Sequence, residues 1–323
     1  MRPKTTIGII LIIVGIIGVL YVYENGSNTT FESIRNVLAT EVSEQETIDA
    51  SDIRNLDISS GSTDVVLVPG SGSDVVIKLE GWASKNYVKN LKIESSKKEG
   101  TLQLSLKSDR GFRFGFGLNG VKMTVELPEK TWSQLSVDLN SGNLAVQGIN
   151  AENTKLHTNS GNVKATELKT SNNLIVTVNS GNLNLRSITA KSMDLTTQSG
   201  NLSMKGYESD NISFKVGSGN VHFKDGTAAL KGKTGSGNIK VEADSITRDT
   251  ELNTGAGNVT ITLANNPNSL SVQFKASSGE GVIQKDDFTY DSGSKGSRSI
   301  KGKFGSGETK LNVKTGSGNF TLK

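Results

Sequence analysis

Apolar and polar residues alternate in short runs along most of the chain, and the alternation restarts at a fixed interval. Its clearest copy is Leu174–Leu185, two alternating segments joined by the corner Ser180-Gly181-Asn182. The same corner recurs at Gly142, Gly161, Gly181, Gly200, Gly219, Gly237 and Gly257, with successive gaps of 19, 20, 19, 19, 18 and 20 residues. Looser copies stand at Gly61, Gly279, Gly307 and Gly318.

Positions counted from the corner glycine carry the signal. Five residues before it stand Val137, Leu156, Val176, Leu195, Phe214 and Leu252. Two residues after it stand Leu144, Val163, Leu183, Leu202, Val221, Ile239 and Val259, and four after it Val146, Ala165, Leu185, Met204, Phe223, Val241 and Ile261. Seven after it come Ile149, Leu168, Ile188 and Tyr207. The residues between are mostly Asn, Thr, Ser and Lys. Period-two alternation marks a strand with one buried face. Glycine bends sharply without steric cost, and Asn tolerates the same backbone region and bonds nearby backbone.

A two-strand repeat of this length cannot bury its apolar side alone, but stacked copies can. The pattern therefore predicts an all-β chain: a β-solenoid, parallel β-helix-like, built from Ser-Gly-Asn repeats. A stack of Ser-Gly hairpins would also place one set of side chains on a common face. The near-constant period and the extra apolar position seven residues past the corner favour the solenoid.

Composition agrees with many short strands: 36 Gly, 4 Pro and few aromatics among 323 residues. The absence of Cys excludes disulfides, thiol chemistry, Cys metal sites and a lipoprotein anchor. The formal net charge is +4. That is too small a surplus for a nucleic-acid binder, so no nucleic-acid partner is expected. Thr5–Tyr23 is an unbroken, Ile-rich apolar run of 19 residues. As a helix it would be about 28 Å long, the thickness of a bilayer core. Arg2 and Lys4 precede it and Glu24 follows, so residues 1–23 predict a cytoplasmic tip and one uncleaved transmembrane helix, with everything after it outside the cell. No small-x-small cleavage site follows the run. Residues 24–50 predict a stalk, with Phe31, Ile34, Val37 and Leu38 spaced for a short helix. Residues 51–323 are the expected β domain.

Within that domain, Arg110–Gly120 interrupts the pattern with Phe112, Phe114 and Phe116, expected to fold over the early coils. Asn265–Ser299 predicts one longer loop that leaves the coil, and the chain's last strand, ending at Lys323, predicts an open terminal edge. The strand ending in Leu127-Pro128, the aromatic Trp132, then Leu135-Ser136-Val137 and the serial Ser-Gly-Asn corners resemble the bacterial putative-adhesin β-strand-repeat family, whose membrane-anchored members include LiaG-like proteins. The resemblance covers Ser51 to Lys323. It implies a β-helical extracytoplasmic domain, in some members linked to envelope stress, and it supplies no catalytic residues.

Candidate chemistry is sparse. The two histidines, His157 and His222, occupy outward offsets, and neither is expected to find an acid at a matching place in the next coil. Outward acids scatter over the offsets, so no carboxylate pair of the kind glycan-cleaving β-helices use recurs on one face. The Gly-Gly-x-Gly-x-Asp calcium repeat is absent. No catalytic residue, metal site or cofactor is therefore expected, and the chain reads as a non-enzyme. Asn143, Asn162, Asn182, Asn201, Asn220, Asn238 and Asn258 share one offset and predict a stacked amide column. Arg186, Lys205 and Lys224 share the offset five past the corner, with Lys164, His222 and Lys240 at three past it. These six predict a basic stripe suited to an anionic polymer such as a teichoic acid, or to a lipid headgroup.

The function expected is an adhesin-like binding or scaffolding module, held on the lipid bilayer by its N-terminal helix. Its partner would be an anionic wall polymer or an envelope protein. Two alternatives stay open: a cell-wall glycan-active enzyme using acids from the Arg110–Gly120 or Asp286–Ser299 segments, and a regulatory membrane partner of a signalling protein.

Overall fold

A computed structural model describes residues 39–84, 88, 91–107 and 120–323. The apolar run Thr5–Tyr23, the helical spacing at Phe31–Leu38 and the Phe112, Phe114, Phe116 segment lie outside the described residues. Among the described residues no helix is long and apolar enough to cross a membrane.

The middle of the chain is a solenoid of in-register parallel strands, which decides against stacked hairpins. Asn150–Ser160 pairs in parallel with Thr131–Ser141 on one side and with Lys169–Ser180 on the other. Residues Leu183–Ser199, Leu202–Ser218 and Val221–Ser236 continue the stack, each the parallel partner of the next. A residue sits over the one at the same offset in the preceding coil, as Leu195 sits over Val176 and under Phe214. The apolar offsets read from the sequence all point inward. Val176, Leu185, Leu168 and Ile188 are 0–1% exposed, and the seventh position makes a third inward contact in the coils from Ile149 to Tyr207.

The corners are made by close backbone approach. The corner glycines from Gly142 to Gly257 have φ between 139° and 147°, a region open almost only to glycine. A second bend falls six residues later, where Gly148, Glu167, Ser187, Gly206 and Asp225 are left-handed, with φ of 53–66°. Inside the first corner a buried threonine column meets the corner carbonyls: Thr197 Oγ1 donates to Gly181 O at 3.2 Å, and Thr254 Oγ1 to Gly237 O at 3.0 Å. Each bond satisfies a carbonyl that the sharp bend turns away from the strand ladder.

The expected asparagine column is a continuous ladder. Asn182 N donates to Asn162 Oδ1 at 2.9 Å, Asn201 N to Asn182 Oδ1 at 2.9 Å, and the series runs on to Asn319 N on Asn258 Oδ1 at 2.8 Å. Asp64 accepts from Asn143 N at one end, and Glu280 N donates to Asn319 Oδ1 at the other.

Both ends of the solenoid depart from chain order, and this corrects two expectations. Thr309–Ser317 does not form an open edge. It lies between Thr250–Ala256 and Ser269–Ser278, parallel to both. Phe320–Leu322 lies likewise between Val259–Leu263 and Gly281–Ile283. Lys323 is bonded into the sheet, its O accepting from Leu263 N at 2.7 Å and its N donating to Ile261 O at 2.9 Å. Residues 265–299 are not one loop, because they hold the outermost parallel coil. That coil is covered by Ser299–Gly305, antiparallel to Ser269–Ser278, and then by Thr289–Ser292.

The N-terminal end repeats the arrangement. Asn55–Ser60 lies between Thr101–Lys107 and Thr131–Ser141, and Asp64–Pro69 lies between Gly120–Leu127 and Leu144–Gln147. Antiparallel strands then close it. Lys92–Lys98 covers Thr101–Lys107, while Asp74–Ser84 covers Gly120–Leu127 and is itself covered by Ala39–Asp49. Among the described residues the sheet starts at Ala39, inside the stretch read as stalk. The outer strands carry Glu41, Glu44 and Glu46 at one edge and Lys92, Lys97 and Lys98 at the other, charges that discourage edge pairing.

Candidate functional site

The six stripe residues do share one outer face, the short side that follows each corner. Arg186 pairs in register with Lys205, Lys205 with Lys224, and Lys224 with Glu242. In the neighbouring column Lys164 stands beside Asn184, and Ser203, His222 and Lys240 continue it. Strand spacing sets successive side chains about 4.8 Å apart.

Acids close four of the six stripe residues. Glu242 bonds Lys240, lies 3.3 Å from Lys224 Nζ and 3.6 Å from His222 Nε2. Lys205 Nζ reaches Asp225 Oδ2 at 4.0 Å. Lys164 and Arg186 have no carboxylate within 4 Å among the described residues. The hydrogen bond from Lys240 is the main cause that holds the Glu242 carboxyl down at about 2, with Lys224 assisting.

A depressed carboxylate stabilises the fold above its unfolded value, near 4.5, and that contribution is lost as pH falls toward 2. Glu242 is about one-fifth exposed, which weakens the effect. Glu242→Gln should therefore cost about 1 kcal/mol at neutral pH. Denaturant unfolding of both proteins across pH should show the difference shrinking below pH 4.5 and vanishing near pH 2.

The histidines correct a further expectation. His157 Nδ1 lies 3.0 Å from Asp138 Oδ1, and the two are register partners. His222 approaches Glu242 diagonally in the next coil. The signal for the first pair was present in the sequence, since Asp138 and His157 both stand four residues before a corner glycine. Thr177 follows His157 in the column, but no hydrogen bond joins the two, so the pair does not extend to a nucleophile.

On the third side, the inward column ends at Tyr207, and Gly226 replaces the next apolar residue. A Cβ at Gly226 would come within 2.4 Å of the Tyr207 ring. A shallow polar groove opens there, lined by Glu208, Asp210, Asp225, Asp244 and Arg248, with Arg248 Nη1 3.1 Å from Asp210 Oδ1. Burial, then Asp225, raises the Tyr207 hydroxyl above its ordinary value. Among the described residues no three His, Asp or Glu side chains converge in a way that would hold a metal ion. Asp286 and Asp287 sit in the turn after Gly281–Ile283, with Asp287 left-handed at φ 64°.

The family signature described as Toastrack DUF4097 matches residues 53–323. The chain belongs to this family. Solved structures that the chain is similar to include one titled a "putative adhesin" from Bacteroides fragilis, at 12% identity and a TM-score of 0.44, covering 88% of this chain and 98% of that one. Another, titled a "putative lipid binding protein" from Parabacteroides distasonis, has 17% identity and a TM-score of 0.47, covering 87% and 96%. A third, a "putative adhesin" from the same organism, has 13% identity and a TM-score of 0.40, covering 87% and 97%. No curated protein matches the Toastrack chain described here.

Proposed function

We propose that this protein is an adhesin-like module of the cell envelope, without catalytic activity, that holds an extended anionic wall polymer. The supporting observation is the in-register array of exposed cations. Arg186, Lys205 and Lys224 stand on three successive rungs of a stiff stack. A repeating surface of this kind suits a repeating ligand better than a compact one. The apolar run Thr5–Tyr23, flanked by Arg2 and Lys4, supports a single-pass anchor with the solenoid outside the membrane. The family resemblance adds a role during envelope stress.

The test is retention of the full chain, held in nonionic detergent micelles, on purified anionic wall polymer at low and high salt, with released sugar assayed in the same samples. The expected result is retention at low salt, loss of retention at high salt as charges are screened, and no sugar release. Absence of retention at any salt would overturn the binding reading. Sugar release would overturn the non-enzymatic one.

A further inference from the structure

A second basic surface, on the strand that precedes each corner, differs from the stripe in having no acids to close it. Four residues before the corner, the outward column changes character along the stack. In the early coils it runs Asp138, His157, Thr177, Thr196. It then continues as Lys215, Lys233, Asn253, Lys314 and Lys275, each the register partner of the next. Four lysines thus occupy five consecutive rungs, all exposed. The out-of-order C-terminal coil sets the sequence of this run by placing Lys314 between Asn253 and Lys275.

Like charges directly opposite one another on adjacent strands repel. Here the repulsion stands uncompensated within the protein. None of Lys215, Lys233, Lys275 and Lys314 has a carboxylate within 4 Å among the described residues, and Glu251 in the adjoining column is taken by Lys231 at 3.7 Å. The surface beside the lysines is also bare. Two residues before the corner, the early coils carry a second amide ladder, in which Asn159 donates to Asn140 and Gln198 to Asn179. From Gly217 onward that offset is glycine at Gly217, Gly235, Gly255 and Gly316, and Ser277 stands there only in the outermost coil. Backbone proximity requires it: a Cβ at Gly235 would meet Gly217 O at 2.5 Å, and one at Gly316 would meet Gly255 O at 2.4 Å. The consequence is an open lane of backbone along one flank of an unneutralised lysine column.

Building on the reading of the protein as a polyanion-binding module, we propose that a linear polyanion lies along this column, parallel to the solenoid axis, with its charges met by Lys215, Lys233, Lys314 and Lys275. The partly neutralised stripe on the other side is then secondary. A small anion gains from one rung only, whereas a polymer engages all of them at once, so the site selects for length.

Binding of the full chain in detergent micelles to long-chain inorganic polyphosphate tests this, with orthophosphate as the short control. Combined replacement of Lys215, Lys233, Lys275 and Lys314 by Gln should weaken polyphosphate binding about tenfold or more and lower the slope of log affinity on log salt by about 0.7 per lysine removed. The matching Lys→Arg set should retain binding. Lys169→Gln with Lys191→Gln should change binding less than about twofold, because those exposed side chains belong to neither the column nor the stripe. Thermal unfolding checks that each variant is folded, and the single charge reversal Lys233→Glu provides a milder variant with the same expected direction. Unchanged binding by the quadruple variant, with loss instead in a stripe variant carrying Arg186→Gln, Lys205→Gln and Lys224→Gln, would overturn the column as the site while leaving the polyanion reading intact. Failure of the unaltered chain to bind polyphosphate at any salt would overturn both.

Discussion

Gly200→Ala is expected to destabilise the protein by about 3 kcal/mol or more, the largest effect of any single methyl addition in the solenoid. Gly200 has φ 144°, where an L side chain is strained whatever the space around it. There is also no space, because the added Cβ would lie 1.9 Å from Gly181 O and 2.6 Å from its carbonyl carbon. The clash is with backbone, and that backbone is fixed in turn, since Gly181 N donates to Ser199 O and Gly181 O accepts from Thr197. Relief would need one coil to move off its neighbour along the asparagine ladder. In a domain of this size the loss should lower the melting temperature by roughly 10 °C, read by circular dichroism. Gly61→Ala is the control. Nothing lies within 4 Å of a Cβ at Gly61, so its melting temperature should barely move.

Removing Thr309–Lys323 should have a still broader effect. In a solenoid stacked in chain order, deleting the last coil trims an end and leaves the remainder intact. Here the last coil is second from the end. Its loss takes away the parallel partner of both Thr250–Ala256 and Ser269–Ser278. Leu311, Val313, Phe320 and Leu322 go with it, each 0–1% exposed, and Phe320 packs on Phe274 at 5.3 Å between ring centres. At about 1.5–3 kcal/mol for each buried side chain, the loss is comparable with the whole stability of a typical domain, about 5–15 kcal/mol. Limited proteolysis should find residues 265–308 cut rapidly in the truncated chain and protected in the full one. Protection unchanged by truncation would mean that the outer coil does not depend on the inserted one.

The repeating part of this fold was legible because one chemical event repeats at one spacing. A glycine corner with an asparagine after it, and apolar residues at fixed offsets, can be counted in the sequence, and Val176, Leu185 and Ile188 fell inside as counted. The spatial order of the coils was not legible. An offset says that Val313 points inward. It does not say whether Val313 lies over Leu252 or over Phe274, and in the structure it lies between them. Irregular spacing after Gly257 looked like a loop because the covering strands there run antiparallel and carry no corner. The second bend escaped notice for a different reason: Glu167, Ser187 and Asp225 adopt left-handed backbone without being glycine.

The surface chemistry was legible in the same uneven way. The stripe through Arg186, Lys205 and Lys224 followed from a shared offset, but its closure by Glu242 required knowing that the rung after Lys224 supplies an acid. The pairing of His157 with Asp138 needed only the stacking rule. The column of Lys215, Lys233, Lys275 and Lys314 can be counted by the same rule, since each stands four residues before a corner glycine, but the place of Lys314 between Asn253 and Lys275 depends on the out-of-order insertion.

That insertion is the central claim about the fold and fixes the order of the lysines on the proposed binding surface, and the absence of native cysteine makes it directly measurable. Glu251 and Asn312 are register partners, as are Asn312 and Gln273. Outward cysteines at either pair would stand about 5 Å apart at their Cα atoms, within disulfide range, whereas Glu251 and Gln273 are two rungs apart, about 10 Å and beyond it. Mild oxidation of the double variants E251C/N312C, N312C/Q273C and E251C/Q273C, read by mobility on non-reducing gels and by mass spectrometry, should give disulfides in the first two and none in the third. A disulfide in E251C/Q273C with none in E251C/N312C would place the coils in chain order and contradict the account.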